Sequence, residues 1–312
     1  MHINITLGDP AGIGPEVTFK ALRSIKTHPG IVLFMHPKNE AYIDLHEEFP
    51  PYMGSIKAGE IKTVFVAESL KPNSEPNHPI NAQIAYEALL SAIENCKQTS
   101  ASLVTAPISK AGFLAANIPY TGHTTLLQSS FNTPNASMAF HSKDLNVILS
   151  TIHIPLMSVE KTLTTELLTS TIKNAIAFAR TLGIKKPRIG VAGLNPHASE
   201  NGQFGSFESS IITPLINSLS MPEASVSGPV SPDVIFRQAV EKQWDVVVAL
   251  YHDQGLIPIK LLAFDSAVNV TVGLPICRTS PDHGTAYDIA GKNIANPTAM
   301  AAAIEYAIKY GQ

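Results

Sequence analysis

Three histidines close apolar runs. His153 follows Val-Ile-Leu-Ser-Thr-Ile, His197 follows Ile-Gly-Val-Ala-Gly-Leu-Asn-Pro, and His252 follows Val-Val-Val-Ala-Leu-Tyr. In open α/β sheets, ligands gather beyond the carboxyl ends of the strands. Three imidazoles meeting there, with one position left open, would suit a catalytic divalent metal. Taken singly, any of the 11 histidines reads better as an ordinary loop residue. The recurrence at one topological position is the signal; the spacing adds nothing, because the three come from distant segments.

Other side chains fit an anionic substrate beside such a metal. Arg278 is one of five arginines and sits between Cys277 and a Thr-Ser-Pro turn, a setting that favours a carboxylate or phosphate ligand over a solvated charge. Lys260 and Asn269 lie in the same stretch after His252. The carboxylate candidates are Asp253, next to His252, and Asp233 in Ser231-Pro232-Asp233; Asp233 would serve equally well in the first turn of a helix. Gly122-His123-Thr124-Thr125 opens a helix whose backbone N–H groups could hold an anion. Gly8-Asp9-Pro10-Ala11-Gly12-Ile13-Gly14-Pro15-Glu16 joins a strand to a helix by a tight turn, with Pro15 suited to the first helical turn. Gly-x-Gly-x-x-Gly follows none of the expected strands, which argues against a Rossmann cofactor site.

The elements that must position these residues alternate along the chain. Strands are expected at 2–7, 31–35, 63–67, 102–105, 146–151, 188–192, 245–250 and 267–272. Helices are expected at 15–25, 81–97, 109–116, 164–182, 207–217, 232–242 and 297–309. Within 81–97, Ile84, Ala88, Leu89 and Ala92 share one helical face. Alternation of this kind implies mostly parallel sheets covered by helices, an α/β fold. The motif-rich middle, 119–279, is expected to form one lobe for metal, substrate and dimerisation. Residues 1–118 and 280–312 would form a discontinuous cofactor-side lobe, with the active cleft between the two.

The 312 residues suffice for such a fold. The net charge of −3 comes without any long basic block, so no nucleic-acid footprint is expected. No signal peptide is expected, and no apolar run reaches the ~20 residues needed to span a bilayer. With only two cysteines, Cys96 and Cys277, a disulfide framework is not expected, and the cytoplasm is the natural location.

The motifs resemble the 4-hydroxythreonine-4-phosphate dehydrogenase family of vitamin B6 synthesis. The matching segments are GDPAGIGPE (8–16), TAPISK (105–110), GHT (122–124), STIHIPL around His153, LNPHASE (194–200), YHDQGLIPIK (251–260) and LPICRTSPDHGTAYDIAGKNIANP (274–297). The last block is also similar to the cofactor loop of isocitrate and isopropylmalate dehydrogenases, and implies two α/β/α lobes of that kind.

The resemblance implies that His153, His197 and His252 bind one divalent metal, Zn, Mg or Co. It implies substrate contacts at His123, Thr124, Lys260, Asn269 and Arg278, and catalytic roles for Asp233, Asp253 and Lys260. The cofactor site would use Gly12, Gly14, His283, Gly284, Ala286, Asp288, Ile289 and Asn296. Asp288 before Ala290-Gly291 points to NAD, since an acid suits a free ribose hydroxyl and repels a 2′-phosphate. A homodimer with shared active sites is implied. So is oxidation of 4-phosphooxy-L-threonine to 2-amino-3-oxo-4-phosphooxybutanoate, which loses carbon dioxide to give 3-amino-2-oxopropyl phosphate.

Two departures leave a neighbouring chemistry open. Thr125 stands where the family usually has Glu, and Ser199 where it usually has Gly. A dehydrogenase of phosphorylated threonate or erythronate is the rival within the class. A non-redox acyl-phosphate transferase on a related fold, or a non-catalytic metabolite-binding protein, is the rival outside it.

Overall fold

The computed structural model describes residues 2–42 and 56–311. They form two compact units, Met1–Pro134 with Leu274–Gln312, and Asn135–Gly273. The first begins with β1 (Ile3–Thr6), α1 (Gly14–Ser24), β2 (Ile31–Met35), β3 (Ile61–Phe65), α2 (Pro79–Thr99), β4 (Ser102–Thr105), α3 (Lys110–Ala115) and α4 (His123–Phe131). Helix α2 starts where its sequence dictates. Pro79 fills an early position that needs no N–H donor, and His78 Nδ1 accepts from the backbone of Ile80 at 3.2 Å. Its Ile84, Ala88, Leu89 and Ala92 are all buried, as the periodicity predicts, and the last three pack in a core with Phe34, Leu103 and Phe113. Leu126 and Leu127 of α4 join the same core. That packing keeps α4 in the first unit, whose contacts run to Pro134.

The second unit contains β5 (Ser137–His141), β6 (Asn146–Leu149), α5 (Val159–Thr162), α6 (Thr165–Thr181), β7 (Arg188–Ala192), α7 (Thr213–Ser218), β8 (Ser225–Val230), α8 (Pro232–Val240), β9 (Val246–Ala249), α9 (His252–Ala263) and β10 (Val268–Val272). Its strands run in the order β10-β5-β6-β9-β7-β8. β6, β9, β7 and β8 pair in parallel, whereas β5 runs antiparallel to both β6 and β10. Side chains alternate across the sheet. Val147, Leu149, Val247 and Ala249 pack with Ile235 and Ala239 of α8 and with Leu256 and Ile259 of α9. Gly255 lets α9 lie close on this face: a Cβ there would stand 2.6 Å from Leu149 Cδ2 and 2.8 Å from Val147 Cγ1. The helix expected over 207–217 forms as one helical run over 207–218, with a π segment at Glu208–Ile212 that continues into α7. Pro214, which lacks an N–H, sits just after the wide turn, where an α-helical bond is lost.

The chain returns to the first unit with β11 (Arg278–Pro281) and α10 (Thr298–Tyr310). The sheet there runs β3-β2-β1-β4-β11, parallel throughout. Helices α1 and α10 meet each other, and α10 lies on β4 and β11. No helix among the described residues is long and apolar enough to cross a membrane.

Candidate active site

In the second unit, β6, β9 and β7 are consecutive parallel neighbours, and each delivers one of the three histidines just past its carboxyl end. His153 follows β6 after three residues, His252 opens α9 after β9, and His197 lies in the turn after β7. The His153 and His252 rings stand side by side, centroids 5.5 Å apart. His252 Nδ1 and Asp253 Oδ1 are 2.7 Å apart, which leaves the other ring nitrogen available to a metal, as where a carboxylate orients a metal-binding imidazole. His197 begins five consecutive residues, His197–Asn201, with φ between 45° and 68°. Left-handed backbone costs an L-residue about 1–2 kcal/mol, and Ser199 within this stretch is buried. Among the described residues, no three His, Cys, Asp or Glu side chains stand close enough to grip one ion as placed. The donor set and its shared strand ends suit a divalent metal, and closing on one ion requires the three imidazoles to approach one another.

The carboxylates differ. Asp233 lies in the first turn of α8, hydrogen-bonded to Ser231 Oγ. That hydroxyl, with a smaller contribution from His197, holds its carboxyl below the usual range. Asp233 thus occupies the helix-start position that the sequence offered it. Lys260 lies on α9 with Nζ 5.4 Å from the Phe264 ring. Asn269 lies on β10, its Oδ1 enclosed and without a hydrogen bond.

In the first unit, Arg278 opens β11 and is 3% exposed. Its Nη2 donates to Thr105 Oγ1 at 2.6 Å, and burial pushes the guanidinium down to about 10, leaving it charged at neutral pH. His123 opens α4, with Thr124 next to it. Burial, then the charges of Arg278 and Lys110, drives the His123 imidazole far below its ordinary range, and its enclosed Nε2 has no hydrogen-bond partner. A buried cation beside a helix N-terminus suits an anion. Lys110 belongs to this group, yet its motif, TAPISK, gave no sign of it; only the fold brings it beside Gly122 and His123. Thr125 Oγ1 bonds the Thr121 N–H and the Gly122 carbonyl, so it braces the turn that presents His123.

The 283–297 segment folds onto the Gly8–Glu16 turn. Ile13 N–H donates to the Thr285 carbonyl at 2.9 Å, and Tyr287 Oη donates to Asp9 Oδ2 at 2.7 Å. Farther along, Ala295 N–H donates to Glu16 Oε1 at 2.8 Å, while Lys20 Nζ reaches the carbonyls of Asn293 and Ala295. Gly12 makes this approach possible. A Cβ on Gly12 would stand 2.9 Å from the Thr285 oxygen, and Gly14 lies against the Leu7 carbonyl. Both glycines therefore face the chain itself. His283, Gly284 and Ala286 lie in the irregular stretch after β11, Ile289 lies in the turn that follows, and Asp288 is exposed. Asn296 Oδ1 accepts from the Thr298 N–H and hydroxyl, starting α10.

Comparison with known proteins bears on this arrangement. The family model described as pyridoxal phosphate biosynthetic protein PdxA matches residues 36–307. The chain is 39% identical to a 4-hydroxythreonine-4-phosphate dehydrogenase of Sulfurihydrogenibium sp., covering 99% of this chain and 98% of that one. It is 36% identical to a D-threonate 4-phosphate dehydrogenase of Pectobacterium atrosepticum, covering 98% of each. Among solved structures, a 4-hydroxythreonine-4-phosphate dehydrogenase from Klebsiella pneumoniae superposes with a TM-score of 0.88 at 34% identity, covering 99% of this chain and 97% of that one.

Proposed function

The chain belongs to the pyridoxal phosphate biosynthetic protein PdxA family and is a dehydrogenase, and we propose that it oxidises 4-phosphooxy-L-threonine in a reaction that depends on NAD and a divalent metal. The observation that carries this reading is the placement of His153, His252 and His197 at the carboxyl ends of three adjacent parallel strands. An all-imidazole set suits Zn or Co better than Mg, which seeks oxygen ligands. A metal held there supplies Lewis acidity toward the substrate hydroxyl and the ketone formed from it. Bound NAD supplies the hydride acceptor.

The chain's own residues do the rest. Arg278, His123 and Thr124 bind the substrate's anionic end, and Lys260 and Asn269 are further substrate contacts. Asp233, at the start of α8, is the further carboxylate of the site, and Asp253 orients His252. The 2-amino-3-oxo-4-phosphooxybutanoate so formed would decarboxylate to 3-amino-2-oxopropyl phosphate. Asp288 favours NAD over NADP. Ile257, Leu261, Leu262 and Phe264 leave α9 with an exposed apolar face around Lys260, which supports pairing with a second copy. Light scattering on the purified chain, expected to report two copies per particle, tests that pairing.

A second reading has support of its own: the D-threonate 4-phosphate dehydrogenase is nearly as similar, and Thr125 replaces the usual Glu beside His123. Turnover of purified, metal-loaded protein with both phosphorylated acids separates the two.

A further inference from the structure

We infer that Glu208 and Gln254 are positioning residues that hold the His197 and His252 loops in the arrangement a divalent metal needs; the inference rests on the metal reading above. Beyond Leu149, Ala249 and Ala192 the strands end; backbone bonds from Ser150 and Thr151 to the Ala249 and Leu250 carbonyls still tie the His153 loop to the His252 loop, and side chains add the link to the His197 loop. Gln254, buried on α9, spans two of these loops. Its Oε1 accepts from Leu250 N–H at 2.7 Å, two residues before His252, and its Nε2 donates to the Gly193 carbonyl at 2.8 Å, four residues before His197. The His153 loop joins the same point, where Thr151 Oγ1 and its N–H donate to the Leu250 carbonyl at 2.8 and 3.1 Å.

Glu208 anchors the other end. It is 2% exposed, and its Oε1 accepts from Leu194 N–H at 2.9 Å and Asn195 N–H at 2.7 Å, while Oε2 accepts from Asn195 Nδ2 at 3.0 Å. All three donors lie within three residues of His197, and none belongs to the turn that carries Glu208. Backbone held in a sparsely populated conformation persists only where its surroundings over-determine it. The left-handed stretch begins directly after this anchor, at His197. A carboxylate that ordered only its own helix would bond within it; this one bonds the loop that presents a metal ligand.

The test is a Co2+ titration of the full chain, followed by the visible absorption of the bound ion, with thermal unfolding of the metal-free protein in parallel. Glu208→Gln and Gln254→Glu keep side-chain shape but oppose donor to donor or acceptor to acceptor. Each is expected to weaken Co2+ binding by about 10–100-fold and to alter the absorption spectrum. Asn195→Ala removes one of the three donors and serves if the stronger variants fail to fold; a several-fold loss is expected. Variants that bind Co2+ like the wild type, and differ only in the unfolding of the metal-free chain, overturn the positioning role. A wild-type chain that takes up no Co2+, or a His197→Ala chain that binds it equally well, overturns the metal reading and the inference with it.

Discussion

Tyr287 donates its hydroxyl to the buried carboxylate of Asp9 at 2.7 Å, tying the 283–297 segment to the turn after β1. Burial raises the Asp9 carboxyl above its usual range, and the Tyr287 hydroxyl acts against that rise. A raised carboxyl favours the folded state fully below its unfolded pKa, and that advantage is lost as pH rises through the folded value. At neutral pH the charged Asp9 is therefore carried against burial, with Tyr287 offsetting part of the cost. Tyr287→Phe should move the Asp9 titration higher and lower stability at neutral pH by about 1–2 kcal/mol. If the segment holds NAD, the variant also raises KM for NAD with kcat little changed. Urea unfolding and cofactor kinetics that both match the wild type would contradict this.

Exposed Asp288 should discriminate between the cofactors. A carboxylate meeting a 2′-phosphate costs about 1–4 kcal/mol depending on screening. Preference for NAD should therefore be about tenfold to several hundredfold in kcat/KM, and Asp288→Lys should reverse or erase it. Equal efficiency of the wild type with both cofactors sinks the assignment.

Ser199 occupies left-handed backbone at φ 68° and is buried. Ser199→Gly removes the Cβ penalty at that position, partly offset by the greater entropy of an unfolded glycine. A net gain of about 0.5–1 kcal/mol is expected in chemical denaturation, with the fold unchanged. Loss of stability would show that the serine side chain contributes more than its backbone costs.

Arg278→Ala should raise KM for the phosphorylated substrate about 100-fold, ~2.7 kcal/mol. Arg278→Lys should recover only part, because an ammonium keeps the charge and loses the planar fork. Inorganic phosphate should raise the unfolding temperature of the wild type and leave that of Arg278→Ala unmoved. Normal KM in the Ala variant would remove Arg278 from the substrate site.

Much of the fold was legible because its strands are continuous apolar runs: 31–35 and 188–192 are strands over the expected residues. The strands that escaped are those whose sequence hides them. Ser137–His141 and Arg278–Pro281 carry polar residues, and Ser225–Val230 contains Gly228 and Pro229. Helix α9 was missed because Gly255 and Pro258 interrupt its helical pattern, though Gly255 is what seats it on the sheet. At the site, the strand-end rule placed the three histidines, since it depends only on where apolar runs stop. Lys110, Glu208 and Gln254 could not be found that way. Their partners lie in other segments, and only folding brings the two together.

The most direct test of the proposed activity is NADH formation by the Zn2+- or Co2+-loaded chain, measured with 4-phosphooxy-L-threonine and with D-threonate 4-phosphate in parallel. The account predicts turnover that a chelator abolishes, with kcat/KM higher for 4-phosphooxy-L-threonine by about tenfold or more, ~1.4 kcal/mol. A preference for the threonate, or full turnover by metal-free protein, would contradict it.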